Sequence, residues 1–530
     1  MVDVVVVGGG HNGLVCGCYL QRTGLDVVVC EQSGKLGGGA RTDETVPGYL
    51  FDTHSVAHNI INMTDIPQEL GLAAVGLEYV EMDPFAVGVF ADGAIVRFHR
   101  DVERTVESIR AVEPADADRY RRFVHDARPL VRSAVAGIEA GASWRRRVRR
   151  GPGRVVAGVQ ALARNGGPQA LVHQLVSPYA AVLTERLTSD RTRAPIAAFA
   201  AHSSASPAAP GSAFYGLWQA AYHLYGQWHA RGGSQGLTDA LERRFRRLGG
   251  TVRTGAAVAR IDAPDGRVRA VGLESGERIA APVVVTAVDP RTALLDLLDP
   301  PLAGRAAEEL RAAHRGNAVQ MLVHVAVDRL PAYRGARAGD YNGLQSYVDR
   351  LDDMTAGFAA ADARRLPPDP VPTYAFTPSA LDGSLAPAGH HTVYLACPSA
   401  PYELDGGWDD QAESFAERMI DQVECRAPGF RASIRGRALR TPPMMARELR
   451  WPGAHPMHLD ISIDQLAWMR PTRALAGHAT PVRGLFITGA GTAPVGGVAG
   501  SPGRAAARAV LDRHGTPRRG RSATERRALS

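Results

Sequence analysis

The sequence predicts an α/β protein with a discontinuous Rossmann-type dinucleotide-binding domain and an inserted α+β domain. Three observations lead to this fold. A β-branched run at the N-terminus meets a glycine-rich turn, a second apolar strand ends at an acidic residue, and a glycine-rich segment near residue 500 joins a short strand to a helix. With 530 residues and 45% hydrophobic content, the chain has room for about two to four domains and is too apolar for global disorder.

The first element is a strand over residues 2–7, whose nearly continuous β-branched composition is typical of a strand buried on both faces of a parallel sheet. In the following turn and helix, Gly8 permits a tight turn, Gly10 lets a pyrophosphate approach and Gly13 lets the helix pack closely. A second strand over residues 25–30 leads to Glu31, whose carboxylate can bind ribose hydroxyls. The residues assigned to this part of a dinucleotide site are Gly8, Gly10, His11, Asn12, Gly13 and Glu31.

FAD and NAD share this pattern, and two further segments favour FAD. Residues 37–41 directly follow the second strand and supply glycine backbone and positive charge for a longer cofactor. Near the C-terminus, a short strand over residues 484–488 leads through glycines into an alanine-rich helix over residues 504–511. Its N-terminus, free of side chains, can face a flat or anionic group. The residues assigned to FAD here are Gly37, Gly38, Gly39, Arg41, Gly489, Gly491, Gly496 and Gly497.

Further motifs carry a family resemblance. The matching stretches are residues 8–14, 37–42, 47–58, 81–84, 98–101, 457–471 and 488–503. Through them the chain resembles the phytoene desaturase-type FAD-dependent oxidoreductases (carotenoid desaturases) of the glutathione-reductase/amine-oxidase superfamily, and is most similar to their bacterial β-carotene ketolase-like branch. The resemblance implies that residues 488–491 and 496–498, including Val498, line the ribityl chain and flavin ring. It also implies that Arg41 lies near the pyrophosphate and the Val258 backbone near the adenine.

The function expected from this resemblance is dehydrogenation or oxidation of a lipophilic, carotenoid- or isoprenoid-like small molecule by hydride transfer to flavin N5. Such a reaction also requires loss of a neighbouring proton, and His458 and His58 are the candidate acid–base residues by motif position. A hydrocarbon substrate calls for a long, apolar pocket. Because a second nucleotide fingerprint is missing from the sequence, we expect dioxygen or a quinone as the electron acceptor.

The FAD-binding domain is expected in three pieces along the chain. The predicted divisions are 1–100 (FAD-binding, first part), 101–227 (substrate domain, mostly helical), 228–295 (FAD-binding, second part), 296–474 (substrate domain, second part), 475–512 (FAD-binding, third part) and 513–530 (a disordered basic tail).

Two alternative functions stay open on the sequence. One is a tailoring dehydrogenase or oxidase of a specialised metabolite or amine. The other is a non-catalytic lipid-binding protein similar to Rab GDP-dissociation inhibitors, although the complete glycine motifs argue against a protein without FAD. The Gly232-x-Ser234-x-Gly236 pattern also matches a hydrolase nucleophile elbow, but the polar residues 227–231 before it are unlike the apolar strand that such an elbow requires.

The composition of the chain bears on metal binding, cellular location and nucleic-acid binding. Five scattered cysteines form neither a disulfide framework nor a zinc-binding pattern, so we expect no metal site. Without a secretory signal or a long apolar run, the expected location is the cytoplasm. Residues 144–150 are strongly basic and are followed by apolar residues 155–162. A solvated helix face explains this segment, and peripheral contact with the inner membrane surface is the alternative. Nucleic-acid binding is not expected, because no aromatic platform accompanies the charge.

Overall fold

A computed structural model of the chain describes residues 2–140, 159–160, 163–164 and 166–514. Its strands are β1 (Val4–Val7), β2 (Val27–Cys30), β3 (Thr42–Val46), β4 (Tyr49–Asp52), β5 (Tyr79–Glu81), β6 (Ala86–Val89), β7 (Ile95–Phe98), β8 (Trp228–Ala230), β9 (Thr251–Arg253), β10 (Val258–Asp262), β11 (Ala270–Leu273), β12 (Arg278–Ala280), β13 (Val283–Thr286), β14 (Leu298–Asp299), β15 (Ala318–Val327), β16 (Leu344–Ser346), β17 (Tyr374–Phe376), β18 (His391–Pro401), β19 (Ile434–Arg440) and β20 (Leu485–Ile487).

The described α-helices are α1 (His11–Gln21), α2 (Asn59–Asn62), α3 (Ile66–Glu69), α4 (Val102–Val112), α5 (Pro114–Ala140), α6 (Pro168–Val176), α7 (Tyr179–Arg186), α8 (Asp190–Ala201), α9 (Ala213–Leu217), α10 (Gln219–Tyr225), α11 (Gln235–Arg247), α12 (Arg305–Ala312), α13 (Leu351–Asp362), α14 (Ala412–Glu424), α15 (Phe430–Ser433), α16 (Pro442–Leu449) and α17 (Ser501–His514). The predicted basic segment at 144–150 lies outside the described residues, as does the predicted tail from 515 onward. Arg513 and His514, predicted as tail, belong to α17.

A five-stranded sheet in the order β20–β13–β1–β2–β9 is parallel throughout. From β1 the chain continues to β2 and β9 on one side, whereas the later strands β13 and β20 lie on the other side. The strand order therefore reverses between β1 and β13. In open α/β sheets, ligands bind at the carboxyl ends of the strands beside such a reversal. This sheet confirms the predicted Rossmann-type fold.

The two faces of this sheet enter different cores. Val4 and Val6 pack with residues of α1, α11 and α17. Val5 and Val7 face the opposite way and pack with the smaller sheet β12–β11–β10–β14. Helices, parallel sheet and second sheet thus form three layers. Because both faces of β1 are buried, its sequence is apolar at every position.

A second, seven-stranded sheet has the order β19–β15–β18–β17–β16–β6–β7. It includes β6 and β7, whereas the sequence predicted that residues 1–100 belong to the nucleotide-binding unit. β6 and β7 belong to the seven-stranded sheet because of their strand pairing and because both faces of these strands are buried. β6 aligns in parallel with β16, Val87 and Val89 enter one core, and Val96 and Phe98 enter another. None of the helices in the described ranges combines the length and the apolar composition that crossing a membrane requires.

Candidate cofactor and substrate site

The carboxyl ends of β1, β13 and β20 open into a cavity of about 400 Å³. The cavity continues from these strand ends to aromatic side chains of α8, α9 and α10 and of the seven-stranded sheet. Its volume is within the range of about 300–1,000 Å³ that is usual for small-molecule sites. The strand-order reversal and these aromatic side chains therefore border the same space.

Glycines shape the loop between β1 and α1. Gly8 has a φ of +103°, a backbone conformation that side chains disfavour. A Cβ at Gly13 would lie 2.2 Å from the Gly8 carbonyl oxygen, so only glycine lets α1 begin this close to β1. A Cβ at Gly10 would meet only the Gly37 oxygen, at 3.9 Å, and Gly10 lines the cavity. The N-terminus of α1 has no side-chain cap and no acidic residue in its first turn, so its N–H groups can receive an anion.

Glu31 links this loop to the end of β2 through hydrogen bonds. One carboxylate oxygen accepts a 2.7 Å hydrogen bond from the Gly9 N–H, and the other accepts a 2.9 Å bond from the Ser33 N–H. The side chain is buried but still reaches the cavity. It thus holds the glycine loop in place and borders the position where a ribose would lie beside that loop.

The C-terminal glycine segment meets α1 from the opposite side. His11 Nε2 and the Gly497 oxygen are 3.0 Å apart, and the Ile61 N–H donates to the Val498 oxygen at 3.1 Å. A Cβ at Gly503, in α17, would lie 2.2 Å from the Asn12 carbonyl oxygen. These contacts bring residues almost five hundred positions apart to one rim of the cavity.

The structure places nearly all the predicted cofactor residues in the lining of this one cavity. They are Gly8, Gly10, His11, Asn12, Gly13, Glu31, Gly37, Gly38, Gly39, Arg41, Val258, Gly489, Gly496, Gly497 and Val498. Gly491 is outside the lining, because its Cα packs against Pro290 and His458. The Asn12 Oδ1 atom is buried and has no protein partner. This orphaned acceptor, the uncapped helix and the open face of Gly10 fit an extended dinucleotide such as FAD.

His458, the first predicted catalytic residue, lines the cavity. Its backbone is in the left-handed region, with a φ of +64°, and its Nδ1 atom has no partner. Arg470 holds the chain on either side of it, donating to the carbonyl oxygens of Met457 and Leu459. Burial lowers the pKa of His458 to about 4, so the imidazole is neutral near pH 7 and its unpartnered nitrogen is available.

His58, the second predicted catalytic residue, is not part of the lining. It is fully buried, with Nδ1 3.0 Å from the Tyr79 hydroxyl and Nε2 2.9 Å from the Ser234 hydroxyl. Both nitrogens are thus engaged in a structural network, which explains why this histidine has no access to a substrate. The same network accounts for Ser234 of the elbow-like pattern, since this serine is also fully buried and donates to the Ser55 carbonyl.

Trp451 was not singled out as a site residue by the sequence, and His54, which belongs to the matching stretch 47–58, was not assigned a role there. Both line the cavity, with ring centroids 4.8 Å apart, and Trp451 also lies 5.9 Å from the His458 ring. Burial places the pKa of His54 well below its usual value. Residue 54 is far from residues 451 and 458 in the chain, and no local pattern marks Trp451, so its contact with His54 follows only from tertiary packing.

The remainder of the lining is mainly apolar and aromatic. These side chains are Val56, Ile60, Ile138, Phe199, Phe214, Tyr215, Trp218, Tyr222, Tyr374, Phe376, Tyr394, Met445, Met457, Ile461 and Leu466. Such a wall can bury a lipophilic molecule beside the glycine-lined part of the cavity.

Known proteins resemble this chain over nearly its whole length. Residues 13–331 match the family described as flavin containing amine oxidoreductase. The chain is 30% identical to the Mus musculus protein named pyridine nucleotide-disulfide oxidoreductase domain-containing protein 2, over 96% of this chain and 93% of the relative. It is 26% identical to a phytoene desaturase (lycopene-forming) from Pantoea ananas, over 96% and 99% of the two chains. A solved oxidoreductase from Methanosarcina mazei shares the fold with a TM-score of 0.60 and 15% identity, over 96% and 100% of the two chains.

Proposed function

The chain belongs to the flavin-containing amine oxidoreductase family, and on that premise we propose that it dehydrogenates or oxidises a lipophilic, carotenoid- or isoprenoid-like small molecule. It is an FAD-dependent oxidoreductase of the phytoene desaturase type, and when bound, FAD supplies the acceptor for a hydride from the substrate. The observation that carries the proposal is the aromatic and aliphatic wall that continues directly from the glycine-lined part of the cavity.

The FAD seat combines the two glycine segments. The uncapped N-terminus of α1 and the loop at Gly8–Gly10 would hold the pyrophosphate, and Glu31 would bind the adjacent ribose. The Val258 backbone would meet the adenine, and residues 489–498 would lie against the ribityl chain and the ring. Arg41 would add positive charge at the rim, although it already pairs with Asp43 at 2.6 Å and with Glu448.

The charges around the cavity favour an uncharged substrate over an amine. The carboxylates that line it are Glu31, Asp289 and Glu448, and each is already engaged. Glu31 accepts two backbone N–H groups, Asp289 pairs with Arg315 at 2.7 Å, and Glu448 pairs with Arg41 and Arg440. Among the described residues, the lining therefore offers a cationic amine no uncommitted counter-charge. The alternative function as a tailoring oxidase agrees with the apolar lining only if its substrate is an uncharged metabolite.

His458 is the proposed proton acceptor. Its neutral imidazole and unpartnered Nδ1 border the cavity, and Gly491 packs directly behind its Cβ. In a dehydrogenation, the proton next to the departing hydride needs such an acceptor. Arg470, which donates to carbonyls on both sides of His458, keeps the ring in position without occupying its nitrogen.

Access of a lipophilic substrate suggests contact with a membrane surface, with dioxygen or a membrane quinone as electron acceptor. Val172 and Val176 in α6, together with Ile463 and Trp468, are large apolar side chains left exposed. Gly211 links two of them, since its N–H donates to the Val176 oxygen and its Cα packs against Ile463. Close by in the chain, Ile461 and Leu466 line the cavity. An exposed apolar rim beside an apolar cavity suits uptake from lipid.

Anaerobic flavin bleaching tests the proposed function. The FAD-loaded protein is mixed with carotenoid and isoprenoid substrates in detergent and, separately, with primary and secondary amines. Loss of the oxidised-flavin absorbance with the lipophilic compounds and not with amines is the expected result. Bleaching by amines alone would replace the proposal with amine oxidation. A protein that binds FAD but is bleached by no compound of either class would also contradict it.

A further inference from the structure

Among the carboxamide side chains that line the cavity, that of Gln320 donates from Nε2 to the His202 carbonyl oxygen at 2.8 Å. Two others are Asn59, the first residue of α2, and Gln227, which precedes β8. The proposed role for FAD and the proposed proton acceptor use neither of them. We call these two residues the carboxamide pair.

A backbone hydrogen bond joins the two segments that carry the pair. The His58 N–H donates to the Trp228 oxygen at 2.8 Å. Asn59 directly follows His58 in the chain, and Gln227 directly precedes Trp228. The Gln227 carbonyl also accepts from the Met82 N–H at 2.8 Å, so its backbone is fixed on both sides. α2 in turn reaches the C-terminal glycine segment, because the Ile61 N–H donates to the Val498 oxygen. The pair therefore lies where the proposed flavin seat meets the aromatic wall.

Both residues of the carboxamide pair have buried polar atoms without hydrogen-bond partners. Gln227 is 0% exposed, and neither its Oε1 nor its Nε2 has a partner. The Asn59 Oδ1 atom is likewise buried without a partner. Buried amide groups are normally hydrogen-bonded, because leaving them unpaired is unfavourable. A bound molecule that reaches this wall is the partner that would satisfy them.

The chemistry of the pair specifies that partner. A carboxamide both donates and accepts, carries no charge and matches a hydroxyl or a carbonyl group. Val56 and Ile60, close to Asn59 in the chain, are apolar residues of the same lining. We infer that the substrate of this enzyme is an oxygenated lipophile, whose hydroxyl or carbonyl oxygen is bound by Asn59 and Gln227, rather than a pure hydrocarbon. This inference rests on the proposed function and narrows its substrate class.

Matched substrate pairs test the inference on the unmodified enzyme. Geranylgeraniol is compared with the hydrocarbon that lacks only its hydroxyl, and zeaxanthin and canthaxanthin are compared with β-carotene, by anaerobic bleaching rates. The oxygenated member should have a kcat/KM at least about tenfold higher, since a site built to bind a hydroxyl discriminates against the analogue without one. Equal rates within each pair, or faster bleaching by the hydrocarbon, would overturn the inference while leaving the proposed function intact. Bleaching by no lipophile would instead remove the proposed function.

Two variants test whether the carboxamide pair causes the difference in kcat/KM between oxygenated and hydrocarbon substrates. Gln227→Met keeps the length of the side chain and removes its polar atoms. It should raise KM for the oxygenated compound, so that the oxygenated compound and its matched hydrocarbon have nearly equal kcat/KM. The control is Gln174→Met in α6, where a buried glutamine with an unpartnered Oε1 lies outside the lining, and its ratio should equal that of the unmodified enzyme. FAD content is measured in parallel. Loss of FAD from Gln227→Met with an unchanged substrate ratio would make the pair a flavin contact and overturn the inference.

Discussion

Single carboxylate and imidazole groups determine whether the proposed FAD seat and its proton acceptor can function. Glu31 bridges the glycine loop and the end of β2 through two backbone N–H groups, so it acts on loop geometry as well as on the ribose. His458 lines the cavity, its backbone is in the left-handed region, and its Nδ1 atom has no partner.

Replacing Glu31 with alanine should weaken FAD binding at least about tenfold, because hydrogen bonds to a charged group each contribute about 1.5–3 kcal/mol. Isothermal titration of the flavin-free variant with FAD measures the change. Glu185→Ala, at an exposed position in α7, is the matched control and should bind FAD as the unmodified protein does. Equal affinity of the two variants would show that Glu31 has no part in cofactor binding.

Replacing His458 with asparagine should lower kcat about a hundredfold or more while FAD content is retained, as expected for loss of a general base. Asparagine tolerates the left-handed backbone. His478→Asn is the control, since His478 is also buried at a φ of +67° but lies outside the cavity lining. A His458 variant with the kcat of the control would exclude the proposed role.

At the scale of elements, α1 is the helix on which the nucleotide-binding unit is assembled. Gly13 allows α1 to begin against β1, Gly17 packs against the Phe245 ring of α11, and Gly503 allows α17 to cross α1 at its first turn. Because each of these contacts is made by glycine, three elements approach α1 more closely than side chains would permit. Loop geometry and helix packing are therefore coupled at the cofactor site.

Gly13→Ala should destabilise the fold and reduce FAD retention together. The added methyl would lie 2.2 Å from the Gly8 oxygen, which is backbone and cannot move aside without opening the loop. Overpacking of this kind costs about 1–3 kcal/mol or more, and urea unfolding measures it. In the control, Gly34→Ala, the new methyl has no heavy atom within 4 Å, so stability and FAD content should stay unchanged. A stable Gly13 variant that retains FAD would contradict this account of the loop.

At the scale of the whole molecule, many histidines are buried in the neutral state across both sheets and the cavity. Burial lowers the pKa of each from 6.5 to about 3 or 4; they are His11, His58, His223, His324, His455, His458 and His478. The unfolded chain takes up protons near pH 6.5, whereas the folded chain does so only below about 4. Acidification across this interval therefore favours unfolding.

The free energy of unfolding should fall steeply as the pH decreases from about 6.5 towards 4, by up to about 1.4 kcal/mol per pH unit for each such histidine. Circular dichroism followed against pH should show loss of structure within this interval. His324→Phe removes one buried histidine that stacks on Phe51 and should move the midpoint to lower pH. His125→Asn, at an exposed position, is the control and should leave it in place. A midpoint that is identical in both variants would show that His324 does not contribute.

The sequence predicted the parallel sheet and the glycine-rich part of the site with few errors. Strand β1, the helix α1 and the two glycine segments are local patterns, and the atoms that make them functional are backbone atoms of the same residues. The prediction was less complete where function depends on side chains. His458 and His58 were both candidates by motif position, with His458 preferred, but only His458 reaches the cavity, because Tyr79 and Ser234 occupy both nitrogens of His58.

By itself, the sequence determined the Rossmann-type fold and FAD as the cofactor, and nearly all the residues that it predicted for the cofactor site line one cavity. Local periodicity and glycine spacing encode these features, because they depend on backbone conformation. Only the tertiary structure decided which sheet β6 and β7 join, that the Trp451 ring contacts the rings of His54 and His458, and that Asn59 and Gln227 line the same cavity. These features arise from contacts between residues far apart in the chain, and no local pattern specifies such contacts.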